Sequence, residues 1–298
     1  MHDVLDAAVV RQWCRLAADA LGRTRGEIDA INVFPVPDGD TGTNLHLTLL
    51  AAAEALDGLP DGADLAATWA ALAQGALLGA RGNSGIIVSQ LFRGFADVLG
   101  SAEPPDAAAL AAALDRASSL ARRAIAHPVE GTILSVLDAA ADGKVGKDRT
   151  LAAATRSAVV RARAALDRTT GQLAVLADNG VVDAGGAGLC VVLDALAAAV
   201  GEEVPGRYRV PPKAADATDQ GAPPGGSYEV MYLLDAADEA VPALREALDG
   251  LGDSLVVVGG EGLWNVHVHV EDAGAAIEAG LAAGHPHRIR VTYLHGGL

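Results

Sequence analysis

Apolar residues recur every three to four positions along the first 200 residues, a spacing that places them on one face of an α-helix. The first such run covers residues 4–30, in which Arg11, Arg15 and Asp19 separate the apolar positions. Further helices are predicted from residue 43 to about 57, at 64–78, from 86 onward, at 107–126, from 133 onward, at 148–170 and at 189–200. The first two thirds of the chain are therefore expected to be all-helical.

The hydrophobic period changes after a segment rich in proline and glycine, residues 201–227, which we interpret as a linker. Beyond it, strand-like patterns are predicted at 228–234, 254–258, 263–270 and 288–293, with helices at 237–251 and 272–283. The order βαββαβ is that of a ferredoxin-like α+β domain. The predicted fold is thus multidomain, with a helical domain at 1–200, the linker at 201–227 and an α+β domain at 228–298.

Composition limits the kind of core and the kind of partner. Hydrophobic residues make up 51% of the 298 residues and aromatic residues only 3%, so alanine, leucine and valine must build the core, which favours close-packed helices. A formal charge of −16 argues against a nucleic-acid partner, because binding to the phosphate backbone needs clustered basic residues. The two cysteines, Cys14 and Cys190, are expected to be buried free thiols. We find no secretory signal and no transmembrane segment, and expect a cytoplasmic protein.

The stretch at residues 32–44, N-V-F-P-V-P-D-G-D-T-G-T-N, concentrates the candidate chemistry. Asp38 and Asp40 flank Gly39, whose backbone freedom allows a turn that aims both carboxylates at one point. Two such carboxylates repel each other, and a divalent cation such as Mg²⁺, which prefers oxygen ligands, removes that repulsion. Thr43 and Asn44 are candidate caps of the following helix, whose free N–H groups suit phosphate. These features predict a Mg²⁺-nucleotide site, with an ordinary Asp-Gly-Asp surface turn as the alternative.

Three further loops bring glycine and a capping residue to the start of a predicted helix, at residues 79–85, 127–132 and 177–188. Taken singly, each of them could be a tight turn between helices, and none is a Walker A loop. Arg81 in the first loop could reach a phosphate or lie solvated at the rim. Glu130 in the second could be a catalyst or a structural partner.

Together, the four loops resemble those of the DAK2, or DhaL-type, kinase domain, and F-P-V-P together with Gly131 resembles its fatty acid kinase branch. The resemblance implies an all-α antiparallel helical barrel that binds ATP with two Mg²⁺ ions. It implies that Asp38 and Asp40 are catalytic metal ligands, with Asn32 near the position of a third ligand. The implied nucleotide-binding residues are Thr41, Thr43, Asn44, Gly82, Asn83, Ser84, Gly131, Thr132, Asp183, Gly185 and Gly186.

His267 and His269 alternate on a predicted strand and therefore share one face, which makes them a candidate transition-metal pair. The alternative is a half-exposed strand that merely carries two polar positions. The H-V-H pattern resembles the middle domain of fatty acid kinases, where two histidines and a cysteine form a zinc-type site. Glu229 stands at the cysteine's position, so the implied zinc site is either retained with a carboxylate ligand or lost.

The resemblance implies ATP-dependent phosphorylation of a fatty acid carboxylate, with the acid presented by a separate lipid-binding protein. Such an acid, with a pKa of roughly 4 to 5, is already ionised at neutral pH and needs no general base. Two alternatives stay open: the nucleotide subunit of a dihydroxyacetone-type kinase, and a nucleotide- or metal-binding regulatory module without turnover. The family's third domain is missing, so either the chain is a fragment or partner docking differs. Apolar strands in the second domain leave a homodimer open.

Overall fold

The computed structural model describes residues 4–143, 150–201, 210–211 and 226–294. The described part up to residue 201 is helical, as the sequence predicts. Its helices are α1 (Ala7–Ala30), α2 (Thr41–Asp57), α3 (Leu65–Gly79), α4 (Gly82–Leu99), α5 (Ala107–Ala124), α6 (Ile133–Ala141), α7 (Leu151–Gln172), α8 (Ala174–Asn179) and α9 (Ala184–Ala199). Most of the predicted linker lies outside the described residues.

Several helix starts differ from the predicted ones. Helix α2 begins at Thr41 with Asp40 at the N-cap, so the prediction that Thr43 and Asn44 cap it is wrong. Helix α4 begins at Gly82 rather than 86, and α9 begins at Ala184 rather than 189. The reason at α9 is the side chain of Asp183, which accepts the N–H of Gly186 and thereby starts the helix within the glycine-rich segment. The short helix α8 was not predicted.

The core of the helical domain is built mainly from alanine, leucine and valine, with a small aromatic cluster at one place. Trp13 packs edge-on against Phe92, with ring centroids 5.3 Å apart, and its indole N–H donates to the carbonyl of Val192 at 2.9 Å. Both cysteines are buried and free, as predicted. None of the described helices has both the length and the apolar character needed to cross a membrane.

The second domain is a four-stranded antiparallel sheet with two helices. Its elements are β1 (Tyr228–Asp235), α10 (Val241–Asp249), β2 (Gly252–Gly260), β3 (Leu263–Val270), α11 (Ala273–Ala283) and β4 (His285–Tyr293), and the strand order is β2-β3-β1-β4. The observed sequence of elements is the predicted βαββαβ. Strands β2 and β4 are longer than predicted. Val230, Tyr232 and Leu234 point to the side covered by α10 and α11.

The other face of the sheet packs on the helical domain. Met231 and Val256 share an apolar cluster with Ala80. Between α5 and α6, Ile125 forms an antiparallel bridge with Val256, and the N–H of Ala126 donates to the carbonyl of Leu255 at 3.2 Å. The sheet therefore lies over the loops that precede α4 and α6, where the sequence places its glycine-rich motifs.

Helices α4 and α5 approach so closely that a glycine is required between them. A Cβ at Gly94 would stand 2.5 Å from the Cα of Ala117, well inside van der Waals contact. We expect G94A to lower the free energy of unfolding by about 1 to 3 kcal/mol, because backbone must shift, although alanine favours helix more than glycine does. Urea denaturation measures this.

The matched control is G26A in α1, where a Cβ meets nothing within 4 Å. That variant should gain up to about 1 kcal/mol from helix propensity alone. If G94A were as stable as G26A, the close packing of α4 on α5 would be refuted.

Candidate functional site

A cavity of about 370 Å³ lies between the loops of the helical domain and the adjoining face of the sheet. Most of the residues predicted from the sequence line it, and they come from both domains. The lining includes Asn32, Asp38, Asp40, Thr41, Asn44, Gly82, Asn83, Ser84, Thr132, Asp183, Gly185, Glu229, His267 and His269. Three predicted nucleotide-binding residues, Thr43, Gly131 and Gly186, are not part of the lining.

The turn between α1 and α2 presents Asp38 and Asp40 to this cavity. Gly39 between them has φ of +67°, a conformation that glycine adopts without strain. The buried Asn32 fixes the turn, because its Nδ2 donates to the carbonyl of Val36 and to Oδ1 of Asp38, both at 2.8 Å. The resemblance implies that Oδ1 of Asn32 lies near a metal ion. In the structure this atom accepts a hydrogen bond from the hydroxyl of Thr41. In this arrangement Asn32 orients the carboxylate of Asp38.

Burial and neighbouring carboxylates disfavour the negative charge of both aspartates, although a hydrogen bond with Asp38 favours the ionised form of Asp40. The surrounding protein raises the pKa of Asp38 to about 7, first by desolvation and then through the charge of Asp40. Desolvation also raises the pKa of Asp40, and the charge of Glu229 adds to the effect on both. None of the described residues that line the cavity is a lysine or arginine. A divalent cation with oxygen ligands would relieve this repulsion.

Asp29, which the sequence pattern did not single out, occupies the start of α2. Its carboxylate accepts the N–H groups of Gly42 and Thr43 at 2.7 and 3.0 Å, and also the hydroxyl of Thr43 at 2.8 Å. Thr43 therefore faces Asp29 rather than the cavity. Two of the helix N–H groups expected to be free for phosphate are already bonded, so the cavity side of this turn depends on Asp38, Asp40 and Thr41.

The loop before α4 contributes small and polar groups. Gly82 has φ of +54°, and a Cβ there would stand 2.6 Å from Nδ2 of Asn44, so glycine lets the two loops meet. The Oδ1 of Asn83 is buried without a hydrogen-bond partner among the described residues. An unpartnered acceptor beside a cavity is a candidate contact for a ligand's hydroxyl or amino group.

The loops before α6 and α9 complete the helical side. Thr132 is the predicted N-cap of α6 and accepts the N–H of Leu134. The N–H of Gly131 instead donates to the hydroxyl of Ser135. Glu130 accepts a hydrogen bond from Arg122 at 2.7 Å on the surface, as a structural partner would. A Cβ at Gly186 would lie 2.8 Å from a methyl of Val136, so this glycine serves helix packing.

Glu229, His267 and His269 converge on the sheet side of the same cavity. Glu229 and His269 are paired across β1 and β3, and one ligand atom from each of the three side chains lies within 4.8 Å of the others. Both histidines are buried, so the half-exposed strand considered above is not what the structure has. Nδ1 of His269 has no hydrogen-bond partner within the described ranges.

The charges in this cluster suit a metal. Desolvation is the largest single influence on Glu229 and raises its pKa. The hydrogen bond with His267, with Nε2 to Oε1 at 3.0 Å, acts together with the charges of both histidines and a hydrogen bond with Thr292, and these lower the pKa of Glu229 to about 2. Burial, followed by the nearby His267, lowers the pKa of His269 to about 3. Its imidazole is therefore neutral at physiological pH, the form that ligates metal ions.

Asp183 allows a pH test of the cavity wall. It is fully buried at the N-cap of α9, and burial raises its pKa to about 6. Because the folded state then disfavours the ionised form more than the unfolded state does, Asp183 makes the fold less stable as pH rises from about 4 through 6. Between pH 4.5 and 7.5, the stability of D183N relative to the parent chain should increase by about 1 to 3 kcal/mol.

Any loss of stability that D183N suffers from its changed hydrogen bonds is the same at both pH values, so it cancels when the two measurements are subtracted. Asp64, an exposed N-cap that accepts the N–H of Ala67 at 2.7 Å in α3, gives the control variant D64N. Equal responses of D64N and D183N in urea denaturation would show that burial of Asp183 has no such effect.

Comparison with known proteins identifies both domains. Residues 35–198, more than half of the chain, match the model of the DAK2 domain. Residues 225–297 match the model of the FakA-like middle domain of fatty acid kinases. Both matches agree with the division between the helices and the sheet.

Similar full-length proteins extend well beyond this chain. Protein YloV of Bacillus subtilis (strain 168) is 38% identical over 290 residues, which make up 91% of this chain and 52% of YloV. Uncharacterized protein SAB1090 of Staphylococcus aureus (strain bovine RF122 / ET3-1) is 34% identical over 294 residues, or 92% of this chain and 53% of that protein. The chain thus spans about half the length of these curated relatives. It belongs to the DAK2-domain family, with a FakA-like middle domain after the helical domain.

Proposed function

We propose that this chain transfers the γ-phosphoryl group of Mg²⁺-ATP to the carboxylate of a fatty acid and so forms an acyl phosphate. The observation that carries the proposal is the pair Asp38 and Asp40, held at the wall of a cavity that the four glycine-containing loops surround. The family supports a kinase-type function. The acceptor is proposed from the matching middle domain and from the resemblance of residues 32–44 to fatty acid kinases.

The residues present fit two Mg²⁺ ions. Asp38 and Asp40 offer oxygen ligands, desolvation and then nearby carboxylates raise their pKa values, and the described lining offers no lysine or arginine as a partner. When bound, Mg²⁺ would neutralise the charge that develops on the phosphate oxygens. Asn32, itself held by Thr41, orients the carboxylate of Asp38, while the side chain of Asn44 hydrogen-bonds to Asp40.

The remaining lining residues would bind the nucleotide. Gly82, Asn83 and Ser84 offer backbone N–H groups and the unpartnered Oδ1 of Asn83, and Thr132, Asp183 and Gly185 stand at the two other helix starts. Thr43, Gly131 and Gly186 would not contact the nucleotide directly but would support the loops. The hydroxyl of Thr43 and the N–H groups of Gly131 and Gly186 already donate hydrogen bonds to neighbouring side chains.

The acceptor chemistry needs little from the protein beyond positioning. A carboxylate oxygen forms a bond to the γ-phosphorus while the bond from that phosphorus to the bridging oxygen of ADP breaks, and ADP leaves with the electron pair. No proton is released, because the acid is already ionised. Apolar lining residues such as Phe34, Ile87 and Val256 suit the first carbons of an acyl chain. A separate lipid-binding protein is proposed to present the acid.

We propose a Zn²⁺ ion at Glu229, His267 and His269. Two imidazoles and one carboxylate form a three-ligand set that leaves a fourth position open. The buried Nδ1 of His269 supports the fit, because it makes no hydrogen bond with a described residue, although Oδ1 of Asp253 lies 3.8 Å from it. When bound, Zn²⁺ would act as a Lewis acid toward an oxygen atom in the cavity. A purely regulatory module would bind the same ions and nucleotide but would form no acyl phosphate.

The kinase proposal predicts that D38N loses nucleotide affinity. Titration calorimetry with a non-hydrolysable ATP analogue and Mg²⁺ should show binding to the parent chain and binding at least about 10-fold weaker to D38N, since one ligand charge is lost. The control is D57N, which removes a charge from the exposed far end of α2. If D38N bound the ATP analogue as tightly as the parent chain does, the metal site would be ruled out. A separate assay, which traps the acyl phosphate product as a hydroxamate, distinguishes turnover from binding.

The zinc proposal predicts opposite effects of two substitutions at one position. E229C introduces a thiolate and should raise the affinity for Zn²⁺, whereas E229Q should lower it at least about 10-fold. Competition with a chromophoric chelator measures both affinities. The exposed E271Q is the control. Equal zinc affinity of E229C, E229Q and the parent chain would contradict the ligand set.

A further inference from the structure

Two arginines from different domains come together beside the cavity. Arg81 is the N-cap residue of α4 and directly precedes Gly82, Asn83 and Ser84 of the lining. Arg290 lies on β4, where it is paired with Met231 of β1. Met231 packs in the same apolar cluster as Ala80, the neighbour of Arg81. The docking of the sheet on the helices therefore brings the two positions together.

The side chain of Arg290 lies on the same face of the sheet as Glu229, His267 and His269. Thr292, two residues along β4, is paired with Glu229 and hydrogen-bonds to its carboxylate. Residues at i and i+2 of a strand point to the same side. Arg290 is therefore on the face of the sheet that packs on the helical domain, although its side chain is exposed and β4 is an outer strand of the sheet.

Neither guanidinium has a hydrogen bond or ion pair with any residue that the structure describes. Other arginines of this acidic chain are paired, such as Arg122 with Asp138 and Glu130. Desolvation, and next the charge of Arg290, lower the pKa of Arg81, so the two cations act on each other. Glu229, whose charge favours the cationic form of Arg81, is already bonded to His267. Two neighbouring guanidinium groups that no described carboxylate pairs form a site for an anion.

The chemistry of the cavity identifies that anion. A carboxylate acceptor must approach a triphosphate, and the described lining supplies acidic side chains such as Asp38, Asp40 and Glu229 but no lysine or arginine. Metal ions at Asp38 and Asp40 would serve the triphosphate, which leaves the acceptor's own charge uncompensated. Arginine binds carboxylates with two parallel hydrogen bonds, so an arginine pair could hold the acceptor firmly.

We propose that Arg81 and Arg290 together bind the carboxylate of the acceptor and position it for attack on the γ-phosphoryl group. This assignment rests on the proposed function and specifies how its acceptor is recognised. It makes the second domain part of the acceptor site. Both residues are positioning and binding residues, since a carboxylate transfers no proton in the reaction.

The direct test observes the arginine side chains themselves. In the intact chain with Mg²⁺ and a non-hydrolysable ATP analogue, the Nε–Hε NMR signals of Arg81 and Arg290 are assigned from R81Q and R290Q. Sodium octanoate should shift both signals with one common saturation curve, and octanol should shift neither. Arg288, exposed on the same strand, is the internal control.

The outcomes separate the possible sources of the anion. Shifts with inorganic phosphate but not with octanoate would assign the pair to the phosphoryl group and overturn the acceptor assignment. No shift with either ion, or equal shifts at Arg288, would also overturn it. If octanoate shifts both signals while no acyl phosphate forms, anion binding stands and the proposed reaction fails.

Kinetics give a second measurement. R81Q and R290Q should each raise the KM for the acceptor by about 10- to 100-fold, the loss expected for a charge-assisted contact, and should leave affinity for the ATP analogue unchanged. R290K should recover part of the loss, and R288Q should behave as the parent chain. An equal loss in R288Q would indicate a general charge effect and contradict the proposal.

Discussion

The site depends on a group of carboxylates that face one cavity without a lysine or arginine in its described lining. Asp38 and Asp40 come from one turn of the helical domain, and Glu229 comes from the first strand of the sheet. Desolvation, followed by the charge of Asp40, raises the pKa of Asp38, the charge of Glu229 adds to the raised pKa of both aspartates, and the described lining holds no lysine or arginine to offset these charges. Such an arrangement persists in a folded protein when a function requires it, because the same charges attract cations. The surrounding loops, the histidines and the arginine pair are all best understood from this excess of negative charge.

The packing of two domains, rather than either domain alone, creates the site. The helices present loops and the sheet presents ionisable side chains, and an apolar cluster around Met231 and Val256 holds the two surfaces together. The side-chain amide of Asn265 also donates a hydrogen bond to the carbonyl of Leu77, at 2.9 Å, and so connects the sheet to the helical domain. The cavity therefore depends on how the two domains pack, and the middle domain supplies part of its lining.

The parts of this picture that local patterns encode could be predicted from the sequence. The helices, the βαββαβ order, the Asp38–Asp40 turn and the shared face of His267 and His269 all follow from periodicity and spacing. The roles of Asp29 and Arg290 could not be predicted, because their partners lie far along the chain or in the other domain. Likewise, no pattern indicated that Glu229 would stand near Asp38, since that depends on how the sheet docks. The start of α2 differed for the same reason: a carboxylate from the preceding helix stabilises it.

The bridge between Ile125 and Val256 has a consequence for the outer edges of the sheet. Strand β2 would otherwise expose a row of backbone donors and acceptors, and the segment between α5 and α6 covers its middle. Strand β4 is the opposite border, and Ile289, Val291 and Tyr293 along it remain solvent-accessible. An additional strand from another polypeptide would therefore find the edge of β4, beside Arg290, less obstructed than the middle of β2.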